Sequence, residues 1–208
     1  MGLKKPSTQL GLHEVVEREH ARDLHGLLQQ LKSPEAGQRR WAARDLAPYP
    51  QSAPTLGEAL LSERDASVRS ALFTSLAGFA TDEAVTALLP LLRSEDAALR
   101  NGAIEALAEM PQAVAPRINT LLHDNDPDVR IFTVNLLGDL KHPDINIWLT
   151  KVLTRDEHVN VVAAAIEVVA EVGTPEAVPA LQSAVLRFSS DPFLGFAADM
   201  AIERIESV

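Results

Sequence analysis

Three side chains near the amino-terminal end have the types and the spacing of a weak metal site. His13, Glu17 and His20 stand at i, i+4 and i+7, so they share one face if this segment is helical. Imidazole and carboxylate groups arranged in this way can hold a transition metal. The segment is rich in Glu, Arg and His, and we interpret the trio as a solvated amphipathic face. We therefore expect no metal and no cofactor.

Other sets of catalytic residues are missing from the sequence. The chain has no cysteine, which excludes thiolate catalysis, disulfides and zinc-finger sites. It has no P-loop, no nucleophile elbow and no glycine pattern for a dinucleotide. We therefore expect a protein that is not an enzyme.

Composition and charge restrict the partners. The 208 residues carry a net charge of −10, and only 4% of them are aromatic. An acidic surface repels a phosphate backbone, so nucleic acid is not an expected partner. Lys4 and Lys5 precede a polar stretch and not the apolar run of a signal peptide. No run is long and apolar enough to span a bilayer, so we expect a soluble cytoplasmic protein without a membrane partner.

The elements that must position any functional side chains form an internal repeat. Short segments of similar character recur around positions 39, 69, 100, 130 and 162, at intervals of 30, 31, 30 and 32 residues, and a weaker sixth segment follows at 195. We call these the anchor positions. Each period contains two stripes of apolar residues with helical spacing. The stripe of Val68, Leu72 and Leu76 ends at a break around Ala80, and no run has the period of a strand.

A motif at the anchor positions resembles the HEAT family, and in particular its short bacterial repeats. Asp-x-x-Val-Arg followed by a helix of small residues stands at 65–69 and 126–130, with a leucine variant at 96–100. The resemblance covers roughly residues 33–205. It implies an all-α fold, a right-handed α-solenoid of about five to six helical hairpins. We expect residues 1–8 to be disordered and 9–208 to be a single domain, with a capping helix over 9–32, repeats over 33–188 and a terminal cap over 189–208.

The carboxylates and arginines of this motif predict a structural ladder. The pairs lie at i and i+4, and we expect them to connect stacked repeats: Asp65 with Arg69, Asp96 with Arg100, and Asp126 with Arg130. Valine replaces arginine at position 162, so the ladder is predicted to end there, with looser stacking or a change of twist.

The family resemblance implies that the helices bearing the anchors line the concave side, and counting from the anchors predicts what this side presents. Positions five and nine residues after each anchor form two columns one helical turn apart. In the middle of the array these columns contain Glu105, Glu109, Asn135, Asp139, Glu167 and Glu171. We call this set the acidic strip. It predicts a binding face for a protein with a basic surface or segment, although glutamate is also a common helix former.

The two ends of the strip differ from its middle. Arg40 and Arg44 stand at the amino-terminal end, and Phe193, Phe196 and Met200 stand at the carboxyl-terminal end. Together with Phe188, the two phenylalanines either fill the core of the terminal cap, which we favour, or leave an exposed apolar patch for a partner or for self-association.

Enzymes with HEAT-like folds offer alternatives. Deoxyhypusine hydroxylase uses several His-Glu pairs, whereas this sequence has one, His13-Glu14. The alkylpurine DNA glycosylases need a basic groove, which the acidic strip contradicts. Phycobilin lyases contain similar repeats, so a subunit that handles a chromophore or another small cofactor stays the alternative to a protein-binding scaffold.

Overall fold

The computed structural model describes residues 20–207, which form helices and turns without a strand in this part of the chain. The predicted disorder of residues 1–8 and the first part of the predicted capping helix over 9–32 lie outside the described residues. The helices are α1 Leu24–Gln30, α2 Ala36–Asp45, α3 Ala53–Ser62, α4 Ala66–Phe79, α5 Asp82–Leu88, α6 Ala97–Ala108, α7 Pro111–Leu121, α8 Pro127–Asp139, α9 Ile145–Arg155, α10 Val159–Val172, α11 Val178–Arg187 and α12 Pro192–Glu206. Short 3₁₀ turns cover Pro50–Ser52, Leu89–Arg93 and Pro175–Ala177.

The helices form six hairpins, each made of an odd-numbered helix followed by an even-numbered one. Each even-numbered helix packs on the next even-numbered helix, from α2 through to α12. In the odd-numbered layer α3 packs on α5 and α9 on α11, but α7 and α9 make little contact. This architecture is the predicted all-α solenoid, because each repeat contacts only its neighbours.

Local sequence explains where the even-numbered helices begin and end. Asp65 Oδ1 accepts the backbone N–H groups of Ser67 and Val68 at 2.8 and 3.1 Å, so it caps α4. Asp96 and Asp126 cap α6 and α8 in the same way. At the other end of α4, Ala80 adopts a left-handed conformation with φ of 50°, the conformation that commonly ends a helix. The predicted break at this position is therefore a C-cap.

The core lies between the two layers. The apolar stripe of α4 is buried as predicted, with Val68, Leu72 and Leu76 fully inaccessible. Trp148 is buried in α9 and stacks on His142, with 4.8 Å between the ring centroids. No helix within residues 20–207 has both the length and the apolar character needed to cross a bilayer.

Candidate functional site

The acidic strip lies on the exposed face of the even-numbered helices. All six residues are exposed, and they come from three helices that pack side by side, α6, α8 and α10. Neighbouring packed helices have axes about 8–10 Å apart, so the strip extends over roughly 20 Å. The column count from the anchor positions therefore identified surface residues.

The strip carboxylates differ from those at the helix starts. Within residues 20–207, no ion pair involves Glu105, Glu109, Asp139, Glu167 or Glu171. In the turns just before the even-numbered helices, by contrast, Glu63, Asp96 and Asp156 each bind an arginine. The strip thus presents negative charge that the described part of the fold does not neutralise.

The two arginines at the basic end of the strip differ in exposure to solvent. Arg44 is exposed on α2, whereas Arg40 is half-buried and its buried Nε atom has no hydrogen-bond partner among the described residues. Trp41, between them in the sequence, is 44% exposed. Arg44 is therefore the better placed of the two predicted arginines to contact a partner.

The carboxyl-terminal end of the strip is an exposed apolar patch. Phe193, Phe196 and Met200 on α12 are 84%, 68% and 50% exposed. The interpretation that phenylalanines fill the core of the cap is wrong for Phe193 and Phe196, and Leu194 is buried there instead. Phe188 is half-buried and packs against this core. We call the three exposed side chains the terminal patch. Met200 continues the column that carries Glu167 in α10, and Phe193 and Phe196 precede it on α12.

The arginines at the anchor positions share a bond within their own repeat. Each donates to the backbone carbonyl six residues upstream: Arg39 to Ser33, Arg69 to Glu63, Arg100 to Ser94 and Arg130 to Asp124, at 2.7–3.0 Å. This bond fixes the turn that precedes α2, α4, α6 and α8. Its regularity shows that the arginine is first a structural residue of its own repeat.

The carboxylate partners of these arginines lie in the next repeat and not at i−4. Arg39 binds Glu63 at 2.7 Å, Arg69 binds Asp96 at 2.9 Å and Arg130 binds Asp156 at 2.8 Å. The aspartates at i−4 of the predicted pairs serve as N-caps of their own helices. The pairing between repeats thus differs from the predicted i, i+4 pairs. One oxygen of Asp96 caps its own helix, and the other faces Arg69 of the preceding repeat and not Arg100.

Arg100 has no carboxylate partner among residues 20–207. The aspartate that corresponds to Asp96 is Asp126, and Arg93 binds it at 3.5 Å and also binds Asp124. The guanidinium of Arg100 instead lies over the ring of Phe132, 4.5 Å from the centroid, with its Nε atom buried and unpaired.

The stacking where valine replaces arginine at position 162 is not loosened, because α10 packs closely on α12 of the next repeat. The alternative, a change of twist at this point, stays a prediction. Arg187, at the end of α11, donates to the backbone carbonyls of Leu153 and Asp156. The carbonyl of Asp156 is the one that an arginine at position 162 would have bound. The repeat pattern of the sequence does not reveal this replacement, because Arg187 comes from a different helix.

The ion pairs change the pKa values of the carboxylates. The hydrogen bond from Arg39 lowers the pKa of Glu63 to about 2, against the opposing effect of burial and with help from the backbone N–H groups of Arg64 and Asp65. The same bond raises the pKa of Arg39. The hydrogen bond from Arg69 lowers the pKa of Asp96. The bonds that connect the repeats therefore keep these two carboxylates charged.

A groove that the column count did not predict lies between α4 and α6. It has a volume of about 940 Å³, and Glu105 and Glu109 of the acidic strip line it. Its apolar side includes Phe73, Ala77 and Gly78. Gly78 stands in a column that carries glutamate or aspartate in the next three repeats. This glycine was the signal in the sequence for an opening at this place.

The weak metal site of the sequence cannot be assembled from the described residues. His13, Glu14 and Glu17 lie outside them, and His20 is the first residue inside. Residues 20–207 contain no group of three His, Asp or Glu side chains placed to hold a metal ion.

Comparison with known proteins identifies the repeat. A family model of HEAT repeats matches residues 24–108 and 114–198. An uncharacterized phycocyanin operon protein Z from Pseudanabaena tenuis is 24% identical over 192 residues, which cover 86% of this chain and 94% of that protein.

Solved structures of similar fold include two repeat proteins. An archaeal HEAT-like repeats protein from Thermococcus onnurineus is 16% identical with a TM-score of 0.41, over 88% of this chain and 87% of that one. The complex of CpcE and CpcF of phycocyanin lyase from Nostoc is 14% identical with a TM-score of 0.37, over 99% of this chain and 100% of the matched chain.

Proposed function

The chain belongs to the HEAT-repeat family, and on that premise we propose that it is a non-catalytic scaffold that binds a partner protein through the face bearing the acidic strip. The observation that carries the proposal is the set of exposed strip carboxylates without an ion-pair partner among residues 20–207. Since the layer of even-numbered helices is the more closely packed one, an array of this kind curves toward it. The strip then lies on the concave side.

The charge of the strip defines the chemistry of the partner. Five carboxylates on three neighbouring helices favour a basic surface or segment, because opposite charges speed association and select the partner. Arg44 at one end and the terminal patch at the other make the face asymmetric. A partner therefore binds in one direction, with an acidic or polar part over α2 and an apolar part over α12.

A charge-reversal experiment tests the role of the strip. The variant carries lysine at Glu105, Glu109, Glu167 and Glu171, and its control carries lysine at four exposed glutamates elsewhere, Glu58, Glu83, Glu95 and Glu157. Proteins recovered from extract of the source cells are quantified by mass spectrometry. We expect recovery of the specific partner to fall about tenfold or more with the strip variant and to persist with the control. Equal recovery with both variants at low salt contradicts the proposal.

The terminal patch extends the same contact. Aromatic side chains that are this exposed are typical of binding surfaces. Replacing Phe193 and Phe196 by serine is expected to weaken the same partner without changing the mass of the protein in light scattering. A mass that halves in the variant would instead assign the patch to self-association.

A competing function is suggested by the relative from a phycocyanin operon. In that case the chain would be a subunit that handles a bilin chromophore or another small cofactor, as a lyase subunit or a chaperone. The absorbance spectrum of the protein purified after co-expression with a bilin source separates the two functions. A coloured protein supports the competing function, and a colourless one supports the scaffold.

A further inference from the structure

Small residues open the groove between α4 and α6. Gly78 stands on α4 in the outer column, where the next three repeats carry glutamate or aspartate, and Ala77 lies beside it. A Cβ atom added at Gly78 would meet nothing within 4 Å, so the groove is open at this point. A single larger side chain there would fill it.

The ring of Phe73 forms part of the groove because Gly102 has no side chain. A Cβ added at Gly102 would lie 2.4 Å from the ring of Phe73, so the ring packs directly on the backbone of α6. Phe73 is half-buried and lines the groove. The corresponding positions in the next three repeats are Ile104, Val134 and Ile166, which are buried. An aromatic ring in this position is therefore specific to the junction of α4 and α6.

The neighbouring junction shows what such a ring can hold. Between α6 and α8 the guanidinium of Arg100 lies over Phe132, 4.5 Å from the centroid. Within residues 20–207 the cations that lie over aromatic rings are Arg100 over Phe132 and Arg187 over Phe188. The ring of Phe73 is thus without a cation of its own in the described part of the chain.

The rim of the groove is negative. Glu105 and Glu109 are exposed one turn apart on α6. Arg69 also lines the groove, but its guanidinium is held by the carbonyl of Glu63 at 2.9 Å and by Asp96 at 2.9 Å. It therefore does not neutralise the two glutamates.

From this combination of a ring and two carboxylates, we propose that the groove binds an arginine side chain of the partner. The proposal rests on the proposed function, since it names a subsite of the same face. A planar guanidinium can stack on Phe73 and donate to Glu105 or Glu109 at the same time, whereas an ammonium group is more strongly hydrated and has no face to stack. This pocket fixes the register of the basic segment along the acidic strip.

The experiment uses fluorescein-labelled nona-arginine and nona-lysine peptides as probes, with affinities from fluorescence anisotropy in 100 mM NaCl. The groove is filled by Gly78→Leu, which changes no charge. Gly37→Leu is the matched control, because Gly37 is also helical with nothing within 4 Å of an added Cβ. We expect Gly78→Leu to weaken nona-arginine about fivefold or more, and Gly37→Leu to leave it unchanged.

The preference for arginine provides a second readout. The wild-type protein is expected to bind nona-arginine about fivefold more tightly than nona-lysine, and Phe73→Leu is expected to remove most of this difference. In ¹⁵N–¹H spectra, added L-argininamide should shift the amide signals of Gly78 and Gly102 and not that of Gly37. These signals also show whether Phe73→Leu is folded.

The outcomes separate this proposal from the proposed function. If charge reversal of the strip weakens nona-arginine but Gly78→Leu does not, the subsite is overturned and the acidic face stands. If neither change weakens it, both are overturned. An equal loss in Gly78→Leu and Gly37→Leu also overturns the subsite, because the effect would not come from the groove.

Discussion

The junction of α2 with α4 and the junction of α6 with α8 use the same arginine in two different ways. Arg39 at the first junction binds the buried carboxylate of Glu63 with two hydrogen bonds, at 2.7 and 2.9 Å. Arg100 at the second has no carboxylate partner in the described part of the chain and lies on the ring of Phe132. Both arginines donate to the carbonyl six residues upstream. The bond within the repeat is thus constant, and the bond between repeats depends on which side chains the next repeat supplies.

The difference separates two kinds of stabilisation. At the α2–α4 junction the interaction is an ion pair that is largely removed from water, so it depends on the charge of Glu63. At the α6–α8 junction it is a contact between a cation and a ring, which does not depend on any titrating acid. Stability measurements against pH and salt can therefore tell the two junctions apart.

The largest effect is expected from Glu63→Gln. This change keeps the size of the side chain but leaves Arg39 without its buried counter-charge, and we expect the free energy of unfolding at pH 7 to fall by about 2–3 kcal/mol. Urea denaturation measures it. Glu58→Gln, at an exposed glutamate of the same helix α3, is the control and should change stability by less than about 0.5 kcal/mol. Equal stability of the two variants would contradict the role of the pair.

The pH dependence of the same pair has a defined sign. The pKa of Glu63 is lowered from 4.5 to about 2, mainly by the hydrogen bond from Arg39. The unfolded chain therefore binds a proton at Glu63 at a higher pH than the folded protein does. The stabilisation is complete above pH 4.5 and is lost as the pH falls toward 2. The difference in unfolding free energy between wild type and Glu63→Gln should thus shrink between pH 6 and pH 3, and a constant difference would contradict it.

A smaller effect, independent of pH, is expected from Arg100→Ala. This change removes the bond to the carbonyl of Ser94 and the contact with Phe132, and we expect a loss of about 1–2 kcal/mol. The loss should be the same at pH 6 and pH 3.5 and in 1 M NaCl, as urea denaturation can show. Phe132→Leu removes only the ring and should cost about half as much. A loss from Arg100→Ala that disappears in high salt would show that a carboxylate is its partner.

The smallest effect is expected from Asp96→Asn at the α4–α6 junction. Asparagine caps a helix as well as aspartate does, so only the ion pair with Arg69 is lost, and the Asp96 side chain is 36% exposed. We expect the melting temperature to fall by less than about 2 °C, and the difference to vanish in 1 M NaCl. Asp96→Ala also removes the cap and should melt lower at every salt concentration. If Asp96→Asn melts as low as Asp96→Ala, the ion pair and not the cap carries the contribution of Asp96.

Much of the candidate site could be predicted from the sequence, because it depends on the period of the repeat. Residues at one offset from the anchors share a face of successive helices, so the exposure of Glu105, Asn135 and Glu167 followed from counting. The exposure of Phe193 and Phe196 could not be decided in the same way. Whether an apolar side chain is buried depends on what packs beside it, and aliphatic side chains of α11 and α12 already fill the core of the last hairpin.

The sequence by itself determined the helices, their order and the face that each residue lies on, because helical spacing, N-caps and the repeat are local properties. Only the tertiary structure decided which side chains meet across repeats. Arg69 reaches Asp96, Arg187 replaces the arginine missing at position 162, and Phe73 lies on Gly102 to form the groove. These contacts depend on the distance and rotation between neighbouring helices, which side-chain packing sets and no single repeat contains.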